Sequence, residues 1–178
     1  MMEDRPRIGN EILEKNLERI IGFVANCDSK VSYLLSAVGV ILTILFTVKP
    51  MNLTFLKSAL GSDETNVLLG FSMLAIILSL FYFLQGVYQL SQALTARTKI
   101  HSGNSSSMIF FGAISAQAGS HDYLQSIEKT DYSYREDLAC QIYINSKICT
   151  EKFERYNKGF KLILFSLPLL VVSWSYLF

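Results

Sequence analysis

Three apolar runs without a single charge decide what this chain can fold into: Val31 to Val48 (VSYLLSAVGVILTILFTV), Val67 to Leu84 (VLLGFSMLAIILSLFYFL) and Leu162 to Phe178 (LILFSLPLLVVSWSYLF). At about 1.5 Å per residue, 18 helical residues reach about 27 Å, close to the hydrocarbon thickness of a bilayer. The runs hold most of the excess that lifts the apolar fraction to 51% and the mean hydropathy to +0.32. Each reads as a transmembrane helix. The third carries Pro168 and begins beside Lys161, so a buried hairpin or re-entrant segment is its alternative. Trp174 and Tyr176 near its far end suit the membrane interface and favour a span. The first run starts after a charged segment, with no basic n-region or small-residue cleavage site before it, so it reads as a retained helix rather than a signal peptide.

Lysine and arginine set the expected orientation. Residues 1–30 hold Arg5, Arg7, Lys15, Arg19 and Lys30, the loop 49–66 holds Lys49 and Lys57, and 91–161 holds Arg97, Lys99, Lys129, Arg135, Lys147, Lys152, Arg155, Lys158 and Lys161. This bias predicts a cytoplasmic N-terminus and middle segment, with the 49–66 loop and the C-terminus outside. A net charge of +1 with acidic residues interspersed gives no basic patch for nucleic acid. Cys27, Cys140 and Cys149 form no CxxC motif, and His101 and His121 have no metal-ligand spacing, so no metal site is expected. GxSxG, Walker A and HExxH are absent, and no nucleophile–base pair is recognisable, which argues against an enzyme and against a cofactor.

Beyond the spans the pattern is helical. In 9–30, Leu13, Leu17, Ile20, Val24, Cys27 and Val31 fall at spacings of four and three, one apolar face running without a break into the first span. The second span, 67–84, is predicted to continue to about residue 100, with Val87, Leu90 and Leu94 on one face. HSGNSSS (101–107) is a break, and 101–132 reads as a loop with a short helix after Gly119-Ser120. Residues 133–160 form a helix with Leu138, Ile142, Asn145, Cys149 and Phe153 on one face, leading to the span 162–178. The expected fold is therefore an all-α integral membrane protein of a single domain, three transmembrane helices whose cytoplasmic extensions form a small bundle.

Three stretches could carry recognition. Asp28-Ser29-Lys30, just before the first span, is either an interfacial charge pair, with Lys30 snorkelling, or a site where Asp28 turns into the bundle and pairs with a basic residue of another helix. In IFFGAIS (109–115), Phe110 and Phe111 either plug the end of the bundle, with Gly112 permitting a tight turn, or stack a flat base while Gly112 lets a ligand approach the backbone. On the last cytoplasmic helix Tyr143 and Lys147 share a face, and Asn145 falls in the apolar stripe, setting register or offering a hydrogen bond.

FVANCDSKVSYLLSAVGVIL, SMIFFGAIS and EDLACQIYINSKICTEKFERYNKGF together resemble the transmembrane effector family of the pyrimidine cyclase antiphage system (Pycsar). The resemblance extends over nearly the whole chain. It implies a multi-pass protein of the bacterial inner membrane that senses a cyclic nucleotide, with a cyclic pyrimidine mononucleotide the implied class, made by a partner cyclase, and that impairs the membrane to stop phage replication. The acidic-then-basic pair of the family is matched by Asp28 and Lys30, its aromatic-glycine turn by Phe110, Phe111 and Gly112, and its last motif by Asn145 and Lys147. With 178 residues there is no room for a separate nucleotide-binding domain, so sensing is expected from the cytoplasmic helices or a partner. On this reading Lys30, Arg135 or Lys147 meets the phosphate, Phe110 or Phe111 lies near the base, and the chain works as a homo-oligomer in the lipid bilayer. The competing expectation is a membrane scaffold or toxin subunit answering to a protein partner, docked through Leu13, Leu17, Ile20 and Val24.

Overall fold

The computed structural model describes residues 9–48, 67–95, 107–129 and 134–177. These residues form five helices and no strand: α1 (Asn10–Val48), α2 (Val67–Leu94), α3 (Phe111–Ser115), α4 (Ser120–Lys129) and α5 (Tyr134–Leu177). The expected outer loop 49–66, most of the break at 101–106, any extension of α2 beyond Thr95 and the stretch 130–133 lie outside the described residues. As the unbroken apolar stripe predicts, α1 runs through Asp28-Ser29-Lys30 without interruption. Similarly, α5 passes through Pro168, whose missing N–H removes one ladder bond but does not end a membrane helix. Three of the helices are long and apolar enough to cross a membrane. Their contacts divide the chain into two units.

The larger unit comprises Cys27–Thr95 and Lys152–Phe178. Its core is Cys27, Val31 and Val38 of α1, Phe83, Leu90 and Ala93 of α2, and Ile163 of α5. The ion pair of Asp28 with Lys152 and the edge-on contact of Phe46 with Trp174 make α1 and α5 parallel. By contrast, Gly86 faces Gly159 and Ile163 while Leu90 reaches back to Gly159, so α2 runs antiparallel to α5. A Cβ on Gly159 would lie 2.9 Å from the carbonyl oxygen of Gly86, and one on Gly86 would lie 2.8 Å from Cγ1 of Ile163. The two backbones therefore touch there, which is the close approach that small residues permit between membrane helices. Small residues continue at heptad spacing along both helices, with Ser79, Gly86 and Ala93 on one and Gly159, Ser166 and Ser173 on the other, all buried.

Hydroxyl groups within the spans bond to carbonyls of their own helix: Thr43 to Gly39 (2.9 Å), Thr47 to Thr43 (2.7 Å), Ser79 to Ile76 (2.9 Å) and Ser166 to Ile163 (3.4 Å). This satisfies them without water, as a hydrocarbon surrounding requires. Outward from the core, Val40, Ile44, Phe71, Ile77, Phe81, Phe165 and Val172 are exposed. In a soluble protein such a surface would be an aggregation hazard, whereas in a bilayer it is the face that meets acyl chains.

The smaller unit comprises Met1–Asn26 and Ala96–Glu151. Here the first part of α1 meets the first turn of α5 through Tyr134, whose hydroxyl donates to the Glu14 carboxylate at 2.8 Å. That bond, to an anion, holds the Tyr134 phenol above its ordinary range. Raised pKa means the contact is intact at neutral pH and is lost as the pH climbs through the folded-state value. Met108, Ala113 and Leu138 are the buried apolar residues around which α3 and α4 fold.

Candidate functional site

The segment from Ser107 to Ser115 is anchored by α5. Ser107 Oγ donates to Oδ1 of Asp137 at 2.7 Å, and the Met108 N–H donates to Oδ2 at 2.9 Å, so one carboxylate holds two successive residues. Ser107 Oγ in turn accepts from the N–H groups of Ile109 (3.3 Å) and Phe110 (3.0 Å) and from Gln141 Nε2 at 3.1 Å. Tyr123 of α4 closes the arrangement by donating its hydroxyl to the Met108 carbonyl at 2.8 Å. Ser107, Asp137 and Gln141 are all buried, where hydrogen bonds to a charged group are worth more than at the surface. Replacing Asp137 with Ala is expected to cost about 3 kcal/mol, since two charge-assisted bonds vanish and Ser107 and Met108 are left with unmet donors. Thermal unfolding in detergent would measure this, with protease cleavage between 107 and 115 appearing at the same time. Asp137→Asn, which keeps one acceptor, should fall between.

On this anchor stands the aromatic-glycine stretch. Gly112 does not make the tight turn expected of it, because no described glycine has a positive φ and residues 111–115 form one helical turn starting after Phe110. Instead it makes room for a ring: a Cβ there would lie 2.5 Å from the Phe110 ring, which would have to shift to admit it. Folded back over Gly112, the half-buried Phe110 ring lies against Phe111 with centroids 4.8 Å apart, and Phe111 is 64% exposed. Only one of the two rings is thus placed as a plug.

The other expected residues fall into separate groups. Lys147 Nζ sits 4.6 Å from the Tyr143 ring centroid, a cation–π pair on the exposed face that the spacing predicts. Asn145 is half-buried but turns its amide to the Gln141 carbonyl of its own helix (2.8 Å), and Arg135 is exposed on the first turn of α5. These residues belong to the smaller unit, whereas Asp28 and Lys30 belong to the larger. There Asp28 does pair with a basic residue of another helix: its Oδ1 accepts from Lys152 Nζ at 2.6 Å, with Lys152 6% and Asp28 37% exposed. Lys30 Nζ lies 5.8 Å from the Phe153 ring centroid.

Sequence reasoning missed Ser107, Asp137, Gln141 and Lys152. A sequence signal existed for Lys152, which takes the heptad position of Leu138 and Asn145 on α5, an inward one. None of these groups makes an activated nucleophile. The Cys149 thiol is pushed up by burial, away from the thiolate that reactivity needs.

A chain helical throughout its described elements, with three helices apolar and long enough to span a bilayer and no Asp, Glu, Lys or Arg inside the apolar runs, is an integral membrane protein, and its relatives narrow the class. The PycTM family, described as the Pycsar effector protein domain, matches residues 12–178. The Pycsar effector protein GmPycTM of Gulbenkiania mobilis is 28% identical over 204 aligned positions that cover 100% of both chains. No solved structure matches. The chain belongs to the Pycsar effector family, and with it to the effectors of antiphage defence, a placement that fits an inner-membrane protein.

Proposed function

We propose that this chain is a membrane effector that responds to a cyclic nucleotide by impairing the bacterial inner membrane, leading to cell death or growth arrest. The observation that carries the reading is the construction of the larger unit. Its core is filled by side chains from all three helices and its outer face is apolar, so among the described residues one copy is a packed, lipid-facing bundle. Breaching the bilayer then takes several copies, or a rearrangement of the three spans. A ligand drives that change to the extent that it binds the rearranged state better than the resting one. The signal is a cyclic pyrimidine mononucleotide from a partner cyclase, and the N-terminus is cytoplasmic, where such a nucleotide is made.

Within the smaller unit, the exposed Phe111 with Phe110 and Gly112 is one candidate contact, a ring face for a base, and Lys147 with Tyr143, and Arg135 with Asn145 on the same helix, are others; the larger unit offers its own, separate set. Asp28 and Lys30 supply charge where the first span begins. The alternative, control by a protein partner, would use Leu13, Leu17, Ile20 and Val24, which are half-buried in this chain and so offer a partner only part of their apolar surface.

The test is the thermal stability of the detergent-solubilised protein with cyclic CMP, cyclic UMP and the purine cyclic mononucleotides, followed by dye release from vesicles containing it. Saturating cognate nucleotide should raise the melting temperature by about 5 °C or more, and release dye. A folded sample that none of these nucleotides stabilises would overturn the reading.

A further inference from the structure

We infer that Lys152 is the cation that receives the nucleotide's phosphodiester, and that Asp28 occupies its place in the resting protein. This deepens the sensing function proposed above and rests on it.

The asymmetry of the ion pair carries the argument. Lys152 is 6% exposed and Asp28 37%, so the cation is the enclosed half and the carboxylate is the half that meets water. An ammonium has three donors, and among the described residues Asp28 Oδ1, at 2.6 Å, is the one acceptor of Lys152. A buried cation cannot be left bare without a large desolvation cost, so nothing removes Asp28 from it except another anion arriving as the carboxylate leaves. An anion from solvent meets the carboxylate side first and reaches Lys152 only by displacing it.

The group that makes this exchange at least cost has one negative charge and two oxygens, as a carboxylate has. A cyclic phosphodiester fits both conditions. A linear monophosphate near neutral pH carries close to two charges and would bring an unmatched one into a site with a single enclosed cation. Two residues beyond Asp28, the exposed Lys30 stands near the Phe153 ring and adds a second cation for the phosphate. Mechanically, the bond given up is one between α1 and α5. Ligand would therefore release the polar end of the first span from the third, and its binding energy is reduced by whatever the resting pair is worth.

The experiment titrates cyclic CMP and cyclic UMP into full-length protein in detergent, reading the nucleotide concentration that gives half of the thermal stabilisation. Asp28→Asn removes the competing charge but keeps an acceptor, and should lower that concentration about tenfold. Lys152→Met should abolish the response. The exchanged pair, Asp28→Lys with Lys152→Glu, keeps opposite charges in contact but encloses the anion. It should melt near the wild-type temperature and ignore both nucleotides. A response equal to wild type in Lys152→Met or in the exchanged pair would overturn the inference while leaving nucleotide sensing intact. No response in wild type would remove both.

Discussion

Asp28→Ala should destabilise the protein by about 3 kcal/mol, whereas Lys152→Met should cost under about 1 kcal/mol, although the two substitutions delete the same ion pair. The difference comes from what each leaves behind. Without Asp28, an ammonium 6% exposed has lost its one acceptor among the described residues. Without Lys152, a carboxylate 37% exposed is still hydrated, and Met fills much of the space the lysine stem occupied. Unfolding in mixed detergent micelles would measure both. Equal costs would mean that the pair acts as a surface contact and that Lys152 finds water when Asp28 is gone.

The second large effect is expected at the glycine crossing. Gly159→Ala should cost about 2–3 kcal/mol, because the added methyl would stand 2.9 Å from the Gly86 carbonyl oxygen and equally close to Leu90, and a backbone atom cannot swing aside. Gly86→Ala should cost less, since its shortest clash, 2.8 Å, is with a side-chain atom of Ile163. Adding Ile163→Ala should recover part of the Gly86→Ala loss and none of the Gly159→Ala loss. Unfolding of the four variants in detergent would show the pattern, and full rescue at Gly159 by the same change would mean that the two backbones are not in contact there.

Sequence reading and structure agree where one chemical property repeats at one period. The uncharged runs became the three long apolar helices, and the stripe from Leu13 to Val31 became the inner face of α1, continued by the buried Val38 and Leu45. Spacing also brought Tyr143 and Lys147 together. What escaped was of two kinds. Ser107 and Asp137 are 30 residues apart and polar, so periodicity cannot join them; Ser107 sits at the end of a run of serines that reads only as a break. Lys152, flanked by Glu151, Glu154 and Arg155, has the composition of a solvated face, and only its heptad register with Leu138 shows that it points inward. At Gly112 the tight-turn reading gives way to a helical turn, with the Phe110 ring folded over the position where a side chain would stand.

The inward bonds of the span hydroxyls have a consequence for how this membrane unit can move. Because Ser79 and Ser166 already satisfy carbonyls of their own helices, they act as smooth filler at the α2–α5 contact and lock neither helix to the other. With glycine backbone against backbone between the two helices, that contact resists their separation through packing alone. Any rearrangement of α2 against α5 must therefore lift Leu90 and Ile163 off the glycines they cover before either helix can move along the other.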